Sequence, residues 1–230
     1  YFLYWTACGF QMKIVFDIPS LIPYVNWPYF YYAWQVKEEQ EKIRLRTEAE
    51  VFLMKIENRY QAYALFELFA ANADGDDIVL DEHRIPLLRQ QQGKPPYLCL
   101  SDFLRPITSG IKDRVGVFAT SVDLGLETDF DFDPYQKMMA QLLADRLAEA
   151  AAECMHEQVR KKYWGYAKDE QLSIPDMLIE KFRGIRPAIG YPSLPDTSLN
   201  FVLNDLLDLR QIGIRLTESG AMKPHASVSG

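Results

Sequence analysis

The segment from Asp133 to Trp164 places the strongest constraint on how this chain can fold. Asp133 is a preferred helix-capping residue, and Pro134 suits the first position inside a helix. No glycine and no further proline follows until Gly165. The sequence therefore predicts one helix over residues 134–163, which at the α-helical rise is about 45 Å long.

Strands are predicted mostly before this long helix, and further helices mostly after it. The predicted strands lie at 13–18, 60–70, 78–85, 98–104 and 115–122, and the turn-rich segment ANADGDD (71–77) joins the second to the third. The other predicted helices are an amphipathic one at 37–58, a short one at 174–182 and one at 198–211. Residues 21–34 are rich in proline and aromatic residues and predict a loop. Grouped strands and clustered helices favour the α+β class over alternating βαβ units.

Composition and charge limit the classes of function. A chain of 230 residues with 48% hydrophobic and 25% charged residues is typical of a globular protein, and one domain over 1–230 is the expectation. The formal net charge of −7 argues against nucleic acid as a partner, because binding phosphates requires a basic surface. The apolar start is interrupted by Lys13 and Asp17, short of the ~18 residues that a membrane-spanning helix requires. We expect protein partners, and neither nucleic acid nor a membrane.

The cysteines indicate the compartment. Cys8, Cys99 and Cys154 are far apart and odd in number, with no C-x-x-C pair and no cluster of histidines. This pattern predicts neither a disulfide framework nor a zinc site, and a reducing cytoplasm fits it best.

Two segments could carry chemistry. In the loop GIRPAIGYPSLPD (184–196), exposed backbone groups could bind a purine, Arg186 could pair with a carboxylate and Tyr191 could stack. The same loop could equally be a structural connector. On the long helix, Asp145, Glu149 and His156 share one stripe, which could bind a cation or exchange protons, or could simply be a solvated polar face.

Three segments together resemble one known family in their order and spacing. They are ADRLAEAAAECMHEQVRKKYWGYA (144–167), GIRPAIGYPSLPD (184–196) and LTESGAMKPHASVSG (216–230). The family is the C-terminal activation domain of vitamin B12-dependent methionine synthases. Weaker similarity extends through LCLSDFL, ADGDDI and IPYVNWPYF, so the likeness covers nearly the whole chain. The resemblance implies a C-shaped α+β domain with a central twisted antiparallel sheet flanked by helices.

The resemblance also implies a binding site for S-adenosylmethionine. By motif match, Arg186 would face the methionine carboxylate, and the backbone around Ala188 and Gly190 would hold the adenine. Tyr191 would lie beside both the ligand and the corrinoid. Glu149 matches a family glutamate near the ligand, and Asp145 would face the docked cobalamin domain.

One position departs from the family pattern. Where the family has an aspartate for the ligand's ammonium group, this chain has Asn26. An amide can still accept a hydrogen bond, but a charge-assisted bond is stronger, so weaker binding or compensation by Glu149 is expected. The family also continues beyond S-V-S-G into a strand and a further ligand-contacting tyrosine, and the chain starts on Tyr1. We therefore expect a fragment of a longer protein, with the C-terminal end of the site missing.

The implied activity is that of a methyltransferase module, which reactivates cob(II)alamin by reductive methylation. Flavodoxin or a similar donor would supply the electron, a partner domain would hold the cobalamin, and S-adenosylmethionine would supply the methyl group. This chemistry depends on placement, so the sequence predicts no catalytic acid or base and no metal ligand. The alternatives that stay open are a docking module for a corrinoid protein without turnover or a free-standing corrinoid reactivation factor. A hydrolase is less favoured, because the sequence lacks a nucleophile motif.

Overall fold

The computed structural model describes residues 2–5, 10–80 and 82–230, and a curled seven-stranded antiparallel sheet lies at the centre of this part of the chain. The strands are β1 (Phe2–Trp5), β2 (Phe10–Phe16), β3 (Ala62–Asp74), β4 (Asp77–Leu80), β5 (His83–Ile85), β6 (Asp113–Val122), β7 (Arg215–Leu216), β8 (Met222–Lys223) and β9 (Ser227–Ser229). β7 and β8 form a separate two-stranded ladder. The central strand is β3, because β6 pairs along one of its edges, and β2 and β4 pair along the other.

Helices cover both faces of this sheet. They are α1 (Ile18–Leu21), α2 (Trp27–Ala33), α3 (Glu39–Ile56), α4 (Gly125–Thr128), α5 (Pro134–Gln158), α6 (Ile174–Leu178) and α7 (Leu199–Leu207). A π-helical turn, Val159–Tyr163, extends α5, and 3-10 turns lie at Ile22–Tyr24, Leu100–Phe103, Ile107–Ser109 and Leu209–Ile212. Within the described residues, no helix combines the length and the apolar character that crossing a membrane requires.

The predicted long helix is confirmed, since α5 and its π-helical turn together span 134–163. A carboxylate oxygen of Asp133 accepts hydrogen bonds from the backbone N–H groups of Tyr135 and Gln136, as the capping prediction required. Alanines on α5, including Ala144 and Ala148, are fully or almost fully buried and let the helix lie close to β6. The helix is thus held in the core, and side chains along it are presented from a rigid element.

The sheet separates two hydrophobic cores, as strand periodicity requires. On β3, Ala64 and Phe66 point towards α3 and α5, whereas Leu65 and Phe69 point towards α7. The α+β prediction is confirmed. The curled antiparallel sheet lies between a larger layer of helices, which includes α3 and α5, and a smaller layer, which includes α7.

The prediction of a loop over residues 21–34 is wrong, because most of this segment is helical. Each of its short helices has a proline in the first turn: Pro19 in α1, Pro23 in the 3-10 turn and Pro28 in α2. Proline is tolerated in a first turn, where its missing N–H has no helical partner in any case. The prolines therefore start short helices here instead of preventing them.

Several other local predictions need correction. The segment 98–104 contains a 3-10 turn and not a strand. The predicted strand 78–85 is present as two strands, β4, which ends at Leu80, and β5, which begins at His83. Asp81 and Cys8 lie outside the described residues. The helix predicted at 37–58 is present as α3, although three of its apolar side chains, those of Ile43, Val51 and Met54, are exposed. The helix predicted at 174–182 ends at Leu178, and that at 198–211 ends at Leu207.

Candidate functional site

The loop that follows α6 is fastened to the C-terminal strand. The backbone N–H of Ile189 donates to the carbonyl of Ser229 (2.8 Å), and that of Gly190 donates to the carbonyl of Leu194 (2.8 Å). The next residue along, Gly230, pairs with Phe118 of β6 through two backbone hydrogen bonds of 2.8 and 3.1 Å. The loop is therefore ordered by its attachment to the sheet, and Arg186 projects from it towards α5.

Arg186 forms an ion pair with Glu153 of α5. The two side chains are only 16% and 14% exposed, and the guanidinium lies 6.0 Å from the centre of the Phe118 ring. The contact is one-sided, because it joins Nη2 of Arg186 to Oε1 of Glu153. Nε of Arg186 and Oε2 of Glu153 are buried, and neither has a hydrogen-bond partner among the described residues.

Glu149 lies one turn before Glu153 and has a different partner. Its carboxylate binds the guanidinium of Arg146 through two hydrogen bonds of 2.8 and 3.0 Å. Arg146 in turn lies 5.7 Å from the centre of the Tyr29 ring of α2. Burial raises the pKa of Glu149, while Arg146 and Arg186 act in the opposite direction. Both guanidinium groups therefore act on this one carboxylate.

Tyr191 completes the same cluster from the loop side. Its side chain is exposed, yet partial burial of the hydroxyl and the nearby charge of Glu149 raise its pKa. Arg146, Arg186 and Tyr29 also act on this hydroxyl. The structure thus brings Arg186, Glu149 and Tyr191 close to one another.

Asn26 and Asp145 lie at the margins of the cluster. Asn26 caps α2, where its side-chain oxygen accepts a hydrogen bond from the N–H of Tyr29 (3.4 Å). Asp145, one turn before Glu149, is partly buried, and this burial raises its pKa to about 6. The structure shows no ion pair for Asp145 within the described chain.

The stripe formed by Asp145, Glu149 and His156 is not a solvated polar face. His156 is buried, with its ring edge-on to Phe182 at 4.7 Å between centroids. Burial, with Arg186 and Arg160 nearby, lowers its pKa to about 2. His156 is therefore neutral near pH 7 and does not exchange protons there. Across the part of the chain that the structure describes, no group of three His, Cys, Asp or Glu side chains could hold a metal ion.

A cavity of about 510 Å³ opens beside the loop. Its walls are mainly apolar and come from β3, β4, β6, the end of α5 and the loop, with Arg186, Pro187 and His156 among them. The lining does not include Glu149, Gly190 or Tyr191. The predicted site therefore adjoins this cavity: Arg186 belongs to both, and Pro187 and Ile189, on either side of Ala188, line the cavity.

Sequence reasoning missed three residues that hold this surface together. Glu153 is the partner of Arg186, Arg146 is the partner of Glu149, and Tyr29 lies against Arg146. The helical spacing contained part of the signal, since Arg146 and Glu153 lie three residues before and four after Glu149, on neighbouring positions of one helix face. The family resemblance linked the start of α2 to this site through Asn26, but it did not single out Tyr29.

A curled sheet backed by one long helix, with a charged surface divided between that helix and a loop, defines the chain as an α+β domain. The chain matches the model of the family described as "Vitamin B12 dependent methionine synthase, activation domain" over residues 17–230. It belongs to this family, and the resemblance found in the sequence is confirmed.

A solved structure gives an independent comparison. The chain is similar to the one described as "Crystal Structure of the MetH Reactivation Domain bound to AdoHcy", with 36% sequence identity and a TM-score of 0.91. The match covers 96% of this chain and 77% of that chain. Agreement at this level shows a shared fold over the matched part of the chain.

Proposed function

We propose that this chain, acting as one module over 1–230, binds S-adenosylmethionine and supplies its methyl group to a cobalamin held by a partner domain. The observation that carries this proposal is the similarity to a reactivation domain bound to AdoHcy, the product that S-adenosylmethionine leaves after losing its methyl group. Family membership supports the cobalamin-binding partner. Reduction by flavodoxin or a similar electron donor belongs to the same proposal.

Each residue of the cluster has a proposed role at the ligand. The Arg186 guanidinium binds the methionine carboxylate, and its buried, unpartnered Nε supports this role because a buried donor favours a ligand that satisfies it. Since the Gly190 N–H is occupied by Leu194, the carbonyl groups of Ala188 and Gly190 are proposed to accept from the adenine amino group. Tyr191 lies beside the ligand and the corrinoid.

The remaining predicted residues have roles at the edges of the ligand. Asn26 accepts a hydrogen bond from the ammonium group, and Glu149 compensates for the missing aspartate charge. Asp145 faces the docked cobalamin domain. A partly buried carboxylate that lacks an ion pair in the described chain is costly, which supports a role that is completed by a partner.

These residues act by placement. The cobalamin supplies the nucleophile when its domain is docked, and this chain holds the sulfonium methyl group in line with it. Fixing two reactants in one geometry replaces a bimolecular encounter and can account for several kcal/mol of the barrier, about 7 or more in the best intramolecular cases. The proposed compartment is the cytoplasm, supported by Cys99 and Cys154, which are free thiols.

The test is a calorimetric titration of the chain with S-adenosylmethionine and with S-adenosylhomocysteine. Saturable binding is expected for both, and Arg186→Ala should weaken it by about tenfold or more, since a charge-assisted contact to the carboxylate is lost. Arg183→Ala, three residues earlier in the same loop and exposed, is the matched control and should bind like the parent. Absence of saturable binding by the parent would refute the proposal and leave the docking module without turnover.

A further inference from the structure

The Arg186–Glu153 pair joins a loop to a rigid helix. Arg186 lies in a segment without helix or strand, between α6 and the turn at Gly190. Glu153 is flanked by two buried residues of α5, Ala152 and Cys154, so its backbone is fixed by the core. A long arginine side chain on such a loop would otherwise sample many rotamers. The pair therefore restricts the guanidinium before any ligand arrives.

The geometry of this pair leaves the guanidinium available. A bidentate arrangement would use two nitrogens of Arg186 and both oxygens of Glu153. Here only Nη2 and Oε1 are joined, and Nε and Oε2 remain without hydrogen-bond partners among the described residues. Since a guanidinium carries five N–H donors, a second carboxylate can bind the same group while Glu153 stays in place.

We infer that Glu153 is a positioning residue, which holds the Arg186 guanidinium in the orientation that receives the ligand's carboxylate. This inference rests on the proposed function, because it names the group that prepares the carboxylate end of that site. It assigns Glu153 no contact with the ligand. It also accounts for the burial of a glutamate at this point of α5.

Two other roles for Glu153 make different predictions. If Glu153 only neutralised the charge of Arg186, removing its charge would strengthen the binding of an anionic group. If it served only the fold, its loss would change the affinity for every ligand of the site by the same factor. A positioning role predicts weaker binding that is confined to ligands with a carboxylate.

The test compares two ligands that differ in the amino-acid group. S-adenosylhomocysteine carries the carboxylate, and 5′-methylthioadenosine keeps the adenine, ribose and thioether but lacks it. For Glu153→Gln, calorimetry should show about a tenfold loss of affinity for the first ligand and less than about a twofold change for the second. Glu153→Gln combined with Arg186→Ala should bind no more weakly than Arg186→Ala alone, because both changes remove one coupled contact.

A matched control and a conservative variant keep the result interpretable. Glu157→Gln removes the next glutamate of α5, which pairs with Lys161, and should leave the affinity ratio of the two ligands unchanged. If Glu153→Gln does not fold, Glu153→Asp retains the charge on a shorter side chain and should show a smaller loss in the same direction. Thermal unfolding of each variant checks the fold.

The outcomes separate the inference from the proposed function. If the parent chain does not bind S-adenosylhomocysteine, the proposed function fails. If the parent binds and Arg186→Ala weakens binding, but Glu153→Gln strengthens it or affects both ligands equally, only the positioning role of Glu153 is overturned.

Discussion

Thr120 of β6 donates its hydroxyl hydrogen bond to the carbonyl of Ala148 on α5, at 2.9 Å. Both residues are buried, and Ala148 directly precedes Glu149 in the candidate site. A helix carbonyl already accepts from within its own helix and uses its second lone pair here. This bond ties the helix that presents the site to β6, which pairs with the central strand β3.

Replacing Thr120 should therefore destabilise the protein. Thr120→Val keeps the shape of the side chain but removes the donor, and we expect the free energy of unfolding to fall by about 1 kcal/mol. Urea denaturation followed by circular dichroism measures the change. Thr128→Val, at an exposed position on α4, is the control and should change stability by less than about 0.5 kcal/mol. Equal effects of the two substitutions would show that the buried bond contributes no more than the exposed bonds of Thr128.

The departure at Asn26 predicts a variant that binds more tightly. Asn26→Asp should increase the affinity for S-adenosylmethionine several-fold, because a carboxylate forms a charge-assisted bond with the ammonium group. Aspartate caps a helix about as well as asparagine, so the stability of α2 should be preserved. Calorimetric titration measures the affinity, with 5′-methylthioadenosine, which lacks the ammonium group, as the control ligand. An unchanged affinity for S-adenosylmethionine would count against this role of Asn26.

His156 should make the protein less stable in mild acid. Its pKa is about 2 in the folded chain, below the usual value near 6.5 in an unfolded one, so unfolding takes up a proton as the pH falls through 6.5. Between about pH 7 and about pH 5, this linkage should remove about 2 kcal/mol of stability. In His156→Phe that part of the loss should disappear. Chemical denaturation at both pH values tests this. A change in packing would alter the stability at both pH values, so the measurement at pH 7, where the proton linkage is small, isolates it.

Asp145 should carry a cost in stability with the opposite pH dependence. Its folded pKa of about 6 lies above the usual value for aspartate, so the folded chain retains a proton that the unfolded chain has lost between about pH 4 and 6. The stability contributed by this proton is lost as the pH rises through 6. Asp145→Asn should be more stable than the parent by about 1–2 kcal/mol at about pH 7.5 and nearly equal to it at about pH 4.

The same Asp145→Asn variant connects this cost with function. Asp145 contributes nothing to the proposed contacts with S-adenosylmethionine, so the affinity for that ligand should stay unchanged within about twofold. Methyl transfer to a docked cobalamin domain should decrease. A variant that transfers the methyl group as fast as the parent would contradict the docking role.

Local patterns in the sequence were sufficient where one residue type has one structural consequence. The cap at Asp133, the following proline and the uninterrupted run to Gly165 predicted the 134–163 helix correctly. The strand 115–122 was also predicted correctly, because it is rich in valine, phenylalanine and threonine, which favour strands. Prolines at 19, 23 and 28 misled the prediction for residues 21–34, since proline both ends one helix and starts another.

Distant contacts could not be predicted in the same way. Glu153 and Arg186 are 33 positions apart, and only the packing of the loop on β9 and α5 makes them partners. His156 likewise looked available for proton exchange on a helical wheel, but the chain covers it from the α6 side with Phe182. Burial decides the charge of such groups, and burial depends on the whole fold.

By itself, the sequence determined the long helix, the α+β class and the family, and it predicted part of the group of residues that the structure brings together. These features depend on neighbours along the chain, or on motifs whose spacing is itself the signal. Only the tertiary structure decided which carboxylate holds Arg186, which one pairs with Arg146, and which one, Asp145, is left partly buried without an ion pair in the described chain. The physical reason is that ion pairing and desolvation act through space, so their partners are chosen by packing and not by sequence separation.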